Sequence, residues 1–237
     1  MDSPNIILKK VWDFESFRPG QEAIISDLYA NNDVFALLPT GGGKSICYQL
    51  PGIAKSNLTI VISPLVSLMQ DQVEQLLKRN IRAAAIYGGM SFREIDITLD
   101  NAKFGGYDFL YLSPERLETS IFLERFKAMK VSQIIIDEAH CISQWGHDFR
   151  PSYSRISELR ELKPNVCFAA FTATANNRVK EDIIEKLGLR NLKLHQTSFL
   201  RENVAYRVFQ SENKKARTLE LCKSLKNSSG IVYCQTR

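Results

Sequence analysis

The chain has no pair of cysteines at CxxC spacing: its five, Cys47, Cys141, Cys167, Cys222 and Cys234, are scattered over 237 residues. An odd, dispersed set argues against a disulfide framework or a zinc-type cluster. It leads us to expect reduced, mostly buried thiols in a cytosolic or nuclear setting. No stretch approaches the roughly 18 consecutive apolar residues of a membrane span. The opening segment MDSPNIILKKVWDF also lacks the apolar run of an export signal, so no membrane partner is expected. The sequons at Asn57 and Asn227 are then read as chance. There is no internal repeat and no low-complexity tract. Charge of one sign is not in large excess either: a net +5 permits a nucleic-acid partner without arguing for one. What remains, 44% hydrophobic and 24% charged residues, is ordinary for a globular protein. The length suits one large domain, or one domain and part of another.

Short β-branched runs alternate with helix-length amphipathic segments. The strand candidates are VFALL (34–38), LTIVIS (58–63), RAAAIY (82–87), DFLYLS (108–113), SQIIIDE (132–138) and VCFAAFTA (166–173). Helices are expected in VSLMQDQVEQLLKRN and in NNRVKEDIIEKLG, the latter capped by Gly188. Several strands are apolar on both faces, as strands inside a parallel sheet are. The alternation predicts an α/β fold, a doubly wound, mainly parallel sheet with ligands at the carboxyl ends of its strands. After about residue 197 the pattern restarts with VAYRVF as strand, KKARTLELCKSLKN as helix and GIVYC as strand. The expected division is residues 1–200 and 201–237, the second read as the start of another domain, with extension of the first sheet as the plainer alternative.

LLPTGGGKS (37–45) follows a strand and precedes a helix. Glycines Gly41, Gly42 and Gly43 let backbone N–H groups wrap a phosphate, Lys44 can reach the β- and γ-phosphates, and Ser45 can ligate Mg²⁺. The strict GxxxxGK[ST] pattern fails, because Leu38 stands where its first glycine would be. A glycine-rich turn with a solvated lysine is the plainer alternative. IIIDEAH supplies the distant carboxylates: Asp137 at a strand's carboxyl end for the Mg²⁺ shell, Glu138 to orient or deprotonate water. The plainer alternative there is an acidic pair capping the next helix.

Further along, CISQWGHDFRPSY (141–153) interleaves aromatics with polar residues. Trp145 and Phe149 offer faces for base stacking, worth about 1–3 kcal/mol per base. Arg150 offers a phosphate or cation–π contact, and Gly146 relieves the backbone of a loop. The alternative, that Trp145 and Phe149 line the core side of a helix, fits poorly with Gln144, His147, Asp148 and Arg150 between and beside them.

Together these motifs resemble a superfamily 2 helicase, and the flanking ones resemble the RecQ family. FESFRPGQ (14–21) is similar to that family's motif upstream of the P-loop, ISPLVSLMQDQV (62–73) and YLSPERL (111–117) to its next two, FTATA (171–175) to its coupling motif, and GIVYCQTR (230–237) to the first motif of a second RecA-like domain. The resemblance implies a three-layer α/β/α sheet of RecA-like P-loop NTPase type, an ATP-binding domain over 1–200 and the start of the helicase C-terminal domain over 201–237. It implies ATP and Mg²⁺ as cofactors and a catalytic set of Lys44, Asp137, Glu138 and His140. Nucleotide contacts would come from Phe17, Arg18, Gln21, Thr40, Gly41, Gly42, Gly43, Lys44 and Ser45, with Gln21 reading adenine and Ser45 and Asp137 holding Mg²⁺. DNA contact or coupling would come from Ser67, Gln70, Ser113, Arg116, Gln144, Trp145, His147, Phe149, Arg150, Thr172 and Thr174.

The implied activity is ATP-dependent 3′–5′ translocation on single-stranded DNA and duplex unwinding in DNA repair and recombination, by a monomer acting on single-stranded and forked DNA. The expected compartment is the bacterial cytoplasm, or the nucleus of a eukaryote. The family's later motifs, its arginine finger included, fall beyond Arg237, so this piece is expected to bind nucleotide weakly, hydrolyse it poorly and not unwind DNA. A nucleotide-gated nucleic-acid binding module and a related RNA helicase remain the alternatives.

Overall fold

A computed structural model describes residues 3–197, 204–225 and 228–234. The chain divides into two compact units, Met1–Phe199 and Leu200–Arg237. The domain boundary expected near residue 200 falls within 198–203, outside the described residues.

In the first unit the apolar runs become strands. They are β1 (Val34–Leu37), β2 (Leu58–Ile62), β3 (Ala83–Ile86), β4 (Phe109–Leu112), β5 (Val131–Ile136) and β6 (Cys167–Thr172), each within two residues of expectation. Every residue of β1, β2, β4 and β6 is buried. Two-sided burial is why these segments show no apolar/polar alternation. A seventh strand, β7 (Lys193–Gln196), pairs with β1 from Val34↔Lys193 to Leu37↔Gln196. Its sequence KLHQ carries no strand signal because it forms a sheet edge, polar and mostly exposed. The sheet runs β3-β4-β2-β5-β6-β1-β7, and every pairing is parallel.

Helices cover both faces, which gives three layers. On one side α2 (Gln21–Tyr29), α3 (Lys44–Ala54) and α4 (Val66–Leu77) bury Ile24, Leu28, Cys47, Tyr48, Met69 and Leu76 against the sheet. On the other, α5 (Phe92–Lys103), α6 (Ser120–Ala128), α7 (Glu158–Leu162) and α8 (Asn177–Leu187) bury a larger cluster around Phe122, Phe126 and Ile183. Side chains of this size each contribute about 1.5–3 kcal/mol when fully buried. α1 (Pro4–Trp12) adds Ile7 and Leu8 to a satellite cluster with Ile25 and Leu50. As expected, Gly188 ends α8 in the left-handed conformation, φ 56°. α3 lies so close to the sheet that a Cβ on Gly52 would stand 2.7 Å from the Phe109 ring.

In the second unit α9 (Lys214–Ser224) forms where a helix is expected, with the Asn213 side chain accepting from Ala216 N. The strands expected over 204–209 and 230–234 do not form. A strand needs a paired neighbour and a covered face, whereas here Val208 is 98% and Tyr233 90% exposed. Residues 235–237 of the GIVYCQTR motif lie outside the described residues. Among the described residues, no helix is long and apolar enough to cross a membrane.

Candidate active site

The strand order places three carboxyl ends side by side: β5, then β6, then β1. The glycine-rich loop leaves β1, the acidic pair leaves β5, and Thr172 ends the strand between them.

After Leu38, whose N–H still donates to Thr172 O (3.1 Å), the chain folds back and Gly42 N–H donates to Pro39 O (2.9 Å). Gly41 and Gly43 take φ of 79° and 76°, and a Cβ on Gly42 would stand 2.9 Å from Pro39 O. The loop thus depends on glycine at all three positions, by backbone angle at two and by close approach at the third. Gly43 is the N-cap and Lys44 the first residue of α3, so the helix's free N–H groups face the turn. A cavity of about 320 Å³ opens there, bounded by Thr40, Lys44, Ser45, Asp137 and Glu138 among others. Left-handed glycines, a helix N-terminus and a lysine suit a polyphosphate, and a hydroxyl with a carboxylate suits its divalent cation.

Arg18 and Gln21 brace this loop from outside. Gln21 is buried; its Nε2 donates to Gly43 O (3.1 Å) and Gly42 O (3.3 Å), and its Oε1 accepts from Arg18 N (2.9 Å). The Arg18 guanidinium donates to Gly41 O. Phe17 packs in the satellite cluster with α1 and α3. A second cavity, about 270 Å³, adjoins the first through Gly43 and Ser45 and is walled by Trp12, Phe14, Arg18 and Arg79. Of these, Trp12 and Arg79 lie outside the motifs, and Phe14 is marked only by its place at the head of FESFRPGQ.

Across β6, Asp137 N–H donates to Ile62 O (2.8 Å), and the Tyr153 hydroxyl donates to the Asp137 carbonyl (3.1 Å). Burial, then the neighbouring Glu138 charge, pushes the Asp137 carboxyl up to about 6. Glu138 adopts φ 47°, ψ 47°, strained for a residue with a side chain. That turn sets its carboxylate 4.0 Å from Lys44 Nζ and 3.3 Å from His140 Nδ1. The His140 hydrogen bond holds the Glu138 carboxyl below its ordinary value despite partial burial. His140 Nδ1 also lies 3.0 Å from Thr172 Oγ1, which accepts from Thr174 N (3.2 Å). Four predicted residues, Lys44, Glu138, His140 and Thr172, therefore form one contact line.

The stretch after His140 is a loop, not a helix: a 3₁₀ turn over Ala139–Ile142 leads to irregular chain as far as Arg150. Trp145 is 56% and Phe149 37% exposed, and Gln144 and His147 are exposed as well. The His147 ring stacks on His140, centroids 4.8 Å apart. Gly146 is required by contact, since a Cβ would meet His140 O at 2.8 Å.

Arg150, expected to offer a phosphate or cation–π contact, is engaged within the chain. Its guanidinium donates to Pro64 O (3.1 Å) and Asp148 Oδ2 (3.3 Å), tying the loop to the end of β2. His140, Cys141 and Asp148 bring ligand-type atoms within 4.8 Å of one another. Asp148 already serves Arg150 there and accepts from the Cys141 thiol (3.6 Å).

Further along the same edge, Ser67 and Gln70 lie on the exposed face of α4. Gln70 Nε2 donates to the Tyr87 hydroxyl (2.8 Å) and Arg116 Nη2 to the Tyr87 carbonyl (2.7 Å), so Tyr87 joins the two predicted contacts. Thr174 is exposed. Ser113 differs from expectation: it is 5% exposed, its hydroxyl buried without a partner. Ser113 N–H still belongs to the ladder, donating to Ile86 O (3.0 Å).

A phosphate cradle on one strand end, opposed across a single strand by a carboxylate pair, defines a P-loop nucleoside-triphosphatase architecture of RecA-like form. The chain belongs to the DEAD/DEAH box helicase family, whose model matches residues 18–183. It is 43% identical over 234 residues to the probable ATP-dependent DNA helicase RecS of Bacillus subtilis, covering 97% of this chain and 47% of the relative. It is 44% identical over 233 residues to the ATP-dependent DNA helicase RecQ of the same organism, covering 98% and 39%. The resemblance to RecQ helicases read from the motifs thus holds, and the chain spans less than half the length of these relatives. In fold it is similar to the DUF1998 helicase MrfA, with a TM-score of 0.73 at 21% identity, covering 99% of this chain and 38% of that one.

Proposed function

We propose that this chain is the ATP-binding motor portion of a RecQ-type DNA helicase, in which DNA on the aromatic loop biases the nucleotide site. The observation that carries the reading is the contact line from Lys44 through Glu138 and His140 to Thr172, with His147 of the aromatic loop stacked on His140. His147 of the loop thus touches the residue that partners the Glu138 carboxylate.

ATP–Mg²⁺, when bound, supplies the anhydride to be cleaved and a cation that offsets its charge. Lys44 and the N–H groups of Gly41 and Gly43–Ser45 would hold the phosphates, the Ser45 hydroxyl and Asp137 carboxylate would hold the cation, and Thr40 lines the same cavity. The Glu138 carboxylate, kept anionic by His140, orients water and takes its proton. With its carboxamide engaged by Gly42 O, Gly43 O and Arg18 N, Gln21 keeps the loop in register together with Arg18, and adenine lies beside them in the cavity walled by Trp12 and Phe14. Trp145 and Phe149 stack bases, while Gln70, Arg116 and Thr174 track the strand along the same edge. Translocation 3′–5′ and unwinding of forked duplex belong to the whole protein.

Linkage provides the test. Nucleotide affinity measured with and without a single-stranded oligodeoxynucleotide should differ about fivefold or more, and DNA affinity should change by the same factor when nucleotide is added. Equal affinities in all four titrations refute the coupling. A response to single-stranded RNA as large as that to DNA moves the assignment to an RNA helicase.

A further inference from the structure

α8 follows directly on the Thr172–Thr174 segment and is anchored on its inner side by buried Val179, Ile183 and Leu187. Its outer face carries Arg178, Asp182 and Lys186, spaced four apart and therefore in one row. Each touches the aromatic loop. The Arg178 guanidinium lies over the Trp145 ring, its central carbon 3.3 Å from the ring centroid. Lys186 Nζ sits 5.9 Å from the Phe149 ring, donates to Ile142 O (3.3 Å) and pairs with Asp182 (3.0 Å). The Asp182 carboxylate is held, against partial burial, by the Ser143 hydroxyl and the Gln144 backbone. Two cations thus sit behind the two exposed aromatics, on a helix that the core holds fixed.

We propose that this row is a positioning element for the aromatic loop. Arg178 backs one face of Trp145 so that the opposite indole face is presented, ready-set, to a nucleobase. The inference rests on the functional reading above for its DNA partner, but the contact itself is independent of DNA. Arg178 acts through Trp145 and makes no phosphate contact of its own. Planarity is essential to the role: guanidinium stacks on an indole face, whereas an ammonium is a compact, strongly hydrated charge. A free tryptophan on a loop would have to be ordered during binding, and pre-organisation removes that cost.

Trp12 and Trp145 are the two tryptophans of the chain. A Trp12→Phe background therefore isolates Trp145 fluorescence, and each variant is compared within it. Without DNA, Arg178→Ala should raise acrylamide quenching of Trp145, and Arg178→Lys should restore it only in part. With a single-stranded oligodeoxynucleotide, Arg178→Ala should weaken binding about three- to tenfold, the size of one stacked cation–π contact. The slope of log affinity against log salt should stay unchanged.

Unaltered quenching in Arg178→Ala overturns the proposal whatever DNA does. So does a salt slope reduced by about one, which marks Arg178 as a plain phosphate contact, or full restoration by lysine. If the unsubstituted chain binds no single-stranded DNA, the DNA reading fails instead, and the quenching comparison still decides whether Arg178 positions Trp145.

Discussion

Replacing Asp33 by alanine should destabilise the first unit more than any single change at the surface of the site. Asp33, just before β1, is 3% exposed and its carboxylate is the hub of four segments. One oxygen takes Arg160 Nη2 at 2.5 Å and Arg190 N–H at 2.6 Å; the other takes Phe168 N–H at 2.8 Å. Arg160, 7% exposed, also donates to Val166 O and lies 4.0 Å over the Phe168 ring. Removing the carboxylate strands a buried guanidinium, at about 3–5 kcal/mol. It also orphans two amides at about 1–3 kcal/mol each, which pushes the loss toward the upper end.

Against a typical total of about 5–15 kcal/mol, that lowers the melting temperature by on the order of 10–20 °C for a unit of this size. Arg160→Met leaves the carboxylate with two amide donors and keeps apolar cover over Phe168, so it should lose less than half as much. Urea and thermal unfolding followed by circular dichroism give both numbers, and the double variant gives their coupling. A loss below about 1 kcal/mol for Asp33→Ala, or a larger loss for Arg160→Met, refutes the reasoning.

Other outcomes are expected in the same unit and beyond it. Lys44→Ala should weaken binding of a fluorescent ATP analogue about ten- to a hundredfold, the worth of one charge-assisted hydrogen bond, with little change in melting temperature; unchanged affinity would exclude Lys44 from the phosphate cradle. Thiol labelling near neutral pH should modify Cys222 and Cys234, which are exposed, and spare buried Cys47, Cys141 and Cys167 until the chain is denatured. Burial pushes the Cys47 and Cys141 thiols up to about 12, which deprives them of thiolate as well as access. Intact mass resolves the two cases, and native labelling of Cys141 would show that the aromatic loop opens.

What could be read in the sequence was what depends on short range or on periodicity. The buried strands announce themselves as apolar runs. The glycine loop does so because glycine takes the left-handed turns at Gly41 and Gly43 without the cost a side chain adds, and Trp145 and Phe149 show their exposure through the polar residues around them. What could not be read depends on distant partners. Asp33 and Arg160 are 127 residues apart, and nothing local marks either as part of a clamp. Arg178 looks like any solvent-facing helix charge until the loop is placed beside it. Strand β7 is polar because an edge need bury only its ladder. The pattern over 204–209 and 230–234 records what those segments could cover, but apolar alternation makes a strand only where a neighbour receives it. Ser113 reads as surface because a Ser-Pro turn says where the chain bends and not which way the hydroxyl points.

The strain at Glu138 shows how these two kinds of information meet. A left-handed glutamate costs about 1–2 kcal/mol over the ordinary helical region, and glycine at that position would remove the cost. Yet the reversed backbone is what turns the chain sharply after β5, so that one carboxylate reaches both Lys44 on β1's side and His140 on the loop's side. The surroundings enforce it. Asp137 Oδ1 accepts from Glu138 N–H (3.0 Å), the Tyr153 hydroxyl fixes the carbonyl just before it, and Ile62 O holds Asp137 in the ladder. A residue over-determined into a costly conformation, with its side chain between a lysine and a histidine, is what the role proposed for Glu138 calls for. Packing alone would have favoured glycine.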